Sequence, residues 1–214
     1  MDKLEKVNLI EVKRCFVVSQ LIRNERISGR FLKFLNVLFK REFLKDISIE
    51  EFEYRLKKVK EKVVLMNEKE LDKIISKEWK KRLVAYNNTE WYFGEFSPDE
   101  MGVWRRAGEM PLVWTNGSLS ETARYIQDAV SKKNAKFSGR AGHAISNILK
   151  TNVSIIQKEK YLLPILFQCD TGTKGRKRLK RKMKYDIDDG CMRSIALTIS
   201  GAEKIKAYVG FPKK

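Results

Sequence analysis

The chain has 214 residues, enough for one large domain or two small ones, and its 43% apolar content is ordinary for a globular protein. Its 45 Lys and Arg against 27 Asp and Glu give a formal charge of +18, which favours a polyanionic partner, nucleic acid before an anionic membrane surface. No apolar run approaches the roughly 20 residues that span a bilayer, so no membrane partner is expected, and the alternating charges of residues 1–6 do not read as a signal peptide. Three scattered cysteines, Cys15, Cys169 and Cys191, argue for a reducing, cytoplasmic setting without a disulfide framework. A single histidine, His143, disfavours a Cys/His zinc site and most Ser-His or Cys-His catalytic designs.

Apolar side chains recur at helical spacing over residues 4–24 (Leu4, Val7, Ile10, Val12, Phe16, Val17, Leu21) and again over 28–44. Ser48 with Glu51 is a capping-box signature that starts a third helix carrying Phe52, Leu56, Val59 and Val63. Asn67 with Glu70 starts a fourth, carrying Leu71, Ile74, Ile75 and Trp79. Residues 1–86 therefore read as a helical region. Within it, 21–38 is compatible with a helix-turn-helix DNA reader; a cap on the following domain and a homodimer contact are the alternatives.

Beyond Asn87-Asn88 the character changes. Residues 89–96 are aromatic and predict a strand, 97–100 a turn or helix start, 111–114 a second strand, and Ser118 or Ser120 the cap of a helix. Trp91, Tyr92, Phe93, Trp104 and Trp114 lie near Arg105 and Arg106. Such mixtures stack bases in some proteins and build cores in more. A further helix is expected from about 142 to 150, extending as far as 157. A strand follows over 162–167, then the basic run 174–184, then a strand over 185–188. The run holds eight cations and no acid: Lys174, Arg176, Lys177, Arg178, Lys180, Arg181, Lys182 and Lys184. Between two strands it reads as an exposed hairpin loop whose charges would contact the phosphates of double-stranded DNA, positioning the protein rather than reading bases.

The stretch after it carries the chemistry. A strand ending in Asp186, Asp188 and Asp189 turns at Gly190 into a helix with Ile195, Ala196, Leu197 and Ile199 on its buried face, stopped by Gly201. Such a turn aims backbone N–H groups at an anion, and the helix N-terminus adds roughly half a positive charge. Arg193, one turn in, can fork onto phosphate oxygens. Alternation puts Asp186 and Asp188 on one face, where they could hold Mg²⁺ or, equally, pair with the neighbouring cations. Cys191 sits where a thiolate is favoured, or is simply packed.

The pattern Asp189-Gly190-x-x-Arg193-x-x-Ala196-Leu197-x-x-x-Gly201 resembles the core motif of the ParB/sulfiredoxin superfamily, with 162–167 in place of its Pro-Ile strand and 204–210 in place of its closing strand. The resemblance implies an α+β fold, with the helical region followed over 87–214 by a ParB/sulfiredoxin-like small mixed sheet with helices. It implies ATP or CTP held at Gly190, Arg193 and Ser194, with Mg²⁺ nearby. Asp189, Asp188 and Cys191 are the candidate catalytic groups for nucleotide hydrolysis, nuclease action or phosphoryl transfer. Sulfiredoxins carry a histidine where this chain has Met192. A non-catalytic DNA-binding regulator is the alternative.

Overall fold

The computed structural model describes residues 4–22, 48–132, 139–169, 171 and 183–213. The readings for 28–44, the helix-turn-helix at 21–38 and the basic run apart from Lys184 lie outside the described residues.

The fold is α+β. Strands β1 (Glu5–Lys6), β2 (Thr89–Phe96), β3 (Met101–Gly102), β4 (Ile165–Gln168), β5 (Tyr185–Asp189) and β6 (Ile205–Pro212) form one mixed sheet in the order β1-β2-β6-β4-β5-β3. β6 lies between β2, to which it is antiparallel, and β4, to which it is parallel. Its register places Gly210 between Trp91 and Phe167 in one row across three strands. A Cβ on Gly210 would stand 3.0 Å from the Trp91 ring and 2.4 Å from Thr89 Cγ2. Glycine there lets Trp91 and Phe167 meet edge-on, centroids 5.2 Å apart.

The helices are α1 (residues 9–22), α2 (Ile49–Val64), α3 (Glu68–Asn87), α4 (Leu119–Ser131), α5 (Gly139–Leu149), α6 (Val153–Lys158) and α7 (Cys191–Ile199). α1 buries Val12, Cys15, Phe16, Val17, Val18 and Ile22, a central rather than a surface helix. Two cations fix it to its neighbours. Lys13 is fully buried and bridges Glu68 (2.7 Å) and Asp72 (2.6 Å) in the first turns of α3. Arg14 Nη2 donates to the carbonyls of Val64 (2.8 Å) and Met66 (3.2 Å) at the end of α2. The guanidinium thus meets the negative end of one helix dipole. Phe16 contacts Tyr86 and Trp79 edge-on, and Tyr86 contacts Trp91, so helical region and sheet share one hydrophobic core.

Several local signals hold. Ser48 accepts from Glu51 N, and reciprocal capping boxes form at Asn67/Glu70 and Ser118/Glu121. Gly201 ends α7 in the left-handed conformation. Three expectations change. The first helix starts at residue 9, because Asn8 caps it through Ile10 N and the preceding residues pair with β2 as an edge strand. Residues 111–114 form turns, closed by Trp114 N to Pro111 O (3.0 Å) and Thr115 N to Leu112 O (3.1 Å). The helix expected over 142–157 is two, α5 and α6, because the Asn152 side chain accepts from Ser154 N and Ile155 N and starts a new helix. No helix among the described residues is long and apolar enough to cross a membrane.

Candidate functional site

The strand–turn–helix from β5 to α7 has the expected local form. Gly190 is left-handed (φ 87°, ψ 12°), and Ser194 N donates to its carbonyl at 2.9 Å. A side chain at this position would meet Pro164 Cα at 3.1 Å and Arg193 Nη2 at 3.0 Å, so only glycine fits both the dihedrals and the space.

The acids of the turn face inward. Asp188 is 1% exposed. Its Oδ2 lies 2.7 Å from Arg82 Nε and accepts from Tyr86 Oη at 2.9 Å, while Arg82 Nη2 reaches its carbonyl and Oδ1. Arg82 also lies over the Phe16 ring, 4.6 Å from the centroid. Asp189 accepts from Ser19 Oγ (2.7 Å), Gln20 Nε2 (2.9 Å) and Arg193 Nη2 (3.0 Å). The two carboxylates therefore tie β5 to α1, α3 and α7. Burial pushes the Asp189 carboxyl up, but the Arg193 guanidinium, the Ser19 hydroxyl and Arg82 outweigh it and hold the group below its ordinary value. Burial also raises the Tyr86 phenol, so it stays a neutral donor to Asp188.

A depressed carboxylate contributes stability above its unfolded pKa of about 4 and loses it as pH falls through the folded value. Unfolding midpoints in urea should accordingly fall on acidification below about pH 4. Asp189→Asn should flatten that part of the profile. An unchanged profile in the variant would show that Asp189 is not its source.

The other candidate residues are placed as follows. Arg193 folds back over Gly190 onto Asp189, 21% exposed, with Nε buried and without a hydrogen-bond partner among the described residues. Ser194 is fully buried, its hydroxyl turned to the Gly190 carbonyl at 3.1 Å. Cys191 opens α7 half-buried against the core. Asp186 shares the Trp91–Gly210–Phe167 row and is half-buried. Lys184 pairs with Glu100 at 2.7 Å. Lys174, Arg176, Lys177, Arg178, Lys180, Arg181 and Lys182 lie outside the described residues. The exposed His143 stands on α5.

Among the described residues no cluster of three or more His, Cys, Asp or Glu stands together as a metal centre would need. A Mg²⁺ ion at Asp188 would have to displace Arg82 and Tyr86 from a buried carboxylate, so these residues do not fit that ion.

Sequence reasoning missed Arg82, Tyr86, Ser19 and Gln20. A signal for two of them existed. Ser19-Gln20 interrupts an otherwise apolar helix face, and polar residues at such positions need buried partners. Arg82 and Tyr86, four residues apart on α3, share a face but have no counterpart legible from sequence. No protein-family model, no curated protein and no solved structure matches the chain.

Proposed function

We propose that the protein is a non-catalytic DNA-associated protein that grips the phosphate backbone, with a ParB/sulfiredoxin-like domain as its scaffold. One observation carries this reading: both acids of the turn, Asp188 and Asp189, are engaged by the protein's own cations and hydroxyls. Those carboxylates are then structural. What remains for a partner is the excess of 45 basic over 27 acidic residues, densest at 174–184. β4 and β5, which flank that run, pair antiparallel, with Cys169 N donating to Lys184 O at 3.1 Å. Fluorescence anisotropy of a labelled duplex against salt tests the proposal. With six to ten phosphate contacts, affinity should drop roughly 10³- to 10⁵-fold between about 50 and 200 mM salt. A flat salt dependence would remove the backbone-gripping reading.

A second reading, ATP or CTP at Gly190–Ser194, is favoured by Arg193. Its guanidinium already lies over the left-handed turn and could exchange Asp189 for a phosphate group. Calorimetry with each nucleotide, with and without DNA, should then show heat that Arg193→Ala abolishes. No heat from either nucleotide leaves the first reading alone.

A further inference from the structure

The loop from β3 to α4 is closed at its base. Gly102 bridges Ser118, and Val103 N donates to Gly117 O at 3.3 Å. Val103, Ala107 and Met110 are buried in the common hydrophobic core, and Thr115 is buried too. Surface loops held on a rigid scaffold frequently carry function. Arg106 is held left-handed (φ 57°), a conformation non-glycine residues seldom adopt, with its N–H donating to the buried Thr115 hydroxyl at 2.7 Å. Arg105 and Arg106 are exposed, as is Arg124 on α4, and none has an ion-pair partner among the described residues. Glu109 pairs with Arg140, and Glu121 accepts from Ser118 N.

The same loop and helix carry two flat rings. Trp114 and Tyr125 are half-buried and parallel, 3° between planes and 6.4 Å between centroids. The Arg124 guanidinium stands 5.6 Å from the Tyr125 centroid. Thr122 Oγ1 donates to Trp114 O at 2.6 Å and fixes the loop to α4. Val113 next to it is 65% exposed.

We infer that this face binds single-stranded nucleic acid. An unpaired base stacks on the Trp114–Tyr125 pair, and flanking phosphates meet Arg105, Arg106 and Arg124. Parallel aromatic rings among unneutralised cations are what a strand-tracking surface requires, because every base has a π-face and every link a negative charge. In a duplex the base faces are stacked on one another and cannot reach these rings. The inference deepens the nucleic-acid reading above but needs no contribution from the basic run.

The experiment titrates the full chain into labelled oligo(dT) of about 15 nucleotides and, separately, into labelled duplex. Trp114→Ala and Tyr125→Ala should each weaken oligo(dT) binding by roughly 5- to 100-fold, the range of one stacked base. Duplex binding should stay as it was, and Trp114→Phe should retain most of the oligo(dT) affinity. Arg106→Gln and Arg124→Gln, exposed and outside the core, should each lower the salt slope for oligo(dT) by about 0.7. The inference is overturned if the wild-type chain binds duplex but not oligo(dT), which leaves the duplex reading standing. It is also overturned if folded ring variants bind oligo(dT) as tightly as wild type, or lose both ligands in equal measure. Should the alanine variants melt early, unchanged slopes in the two arginine variants overturn it on their own.

Discussion

Asp188→Ala is expected to destabilise the protein by about 3–5 kcal/mol, the usual cost of removing one partner of a buried ion pair. Arg82 is 12% exposed and stands 2.7 Å from the Asp188 carboxylate. With the acid gone, the guanidinium keeps its charge and its desolvation but loses its counterion, and Tyr86 loses the acceptor for its hydroxyl. Burial acts to lower the Arg82 pKa, and its neighbours, the Asp188 carboxylate first, more than reverse it, so Arg82 stays cationic at every working pH. Urea unfolding of Asp188→Ala, Arg82→Met and the double variant gives a cycle. The double variant should recover much of the loss, because an apolar pair of similar volume fits the site without a stranded charge. A cost below about 1 kcal/mol for Asp188→Ala would mean that the pair is solvated and not the anchor described.

The second large effect concerns binding. Replacing Lys174, Arg176, Lys177, Arg178, Lys180, Arg181 and Lys182 together by serine should lower duplex affinity at about 150 mM salt by roughly 10³- to 10⁵-fold, as expected if four to seven of them neutralise phosphates at a slope of about −0.9 each. Lys184 is left in place because Glu100 already pairs with it. Two readouts distinguish loss of contacts from loss of fold. The slope of log K against log salt should become shallower by about 0.9 per contact removed, and the urea midpoint should not move. An unchanged slope would place the duplex elsewhere on the surface.

The legible parts of this fold are those governed by neighbours in sequence. Ser48, Asn67 and Ser118 announce helix starts because a cap is a hydrogen bond across three residues. Residues 89–96 announce β2 because aromatic side chains suit a pleated surface. Gly190 and Gly201 announce both ends of α7 because both need positive φ. The failures share the opposite cause. Residues 4–6 leave the helical pattern for the edge of a sheet whose partner strand is more than eighty residues away. Asp188 and Asp189, beside eight cations in sequence, are engaged instead by Arg82, Ser19, Gln20 and Arg193, three of them over a hundred positions upstream. An acid next to a glycine turn looks alike in sequence whether it faces a ligand or a helix of its own chain.

The location of β6 carries a consequence for biogenesis. During vectorial synthesis this strand emerges after every other member of the sheet, yet it occupies the interior slot between β2 and β4. Until it arrives, β2 and β4 have no common neighbour, and their open edges and apolar faces stand exposed to other nascent chains. Ordering of the sheet therefore depends on long-range encounter rather than on growth from the amino terminus.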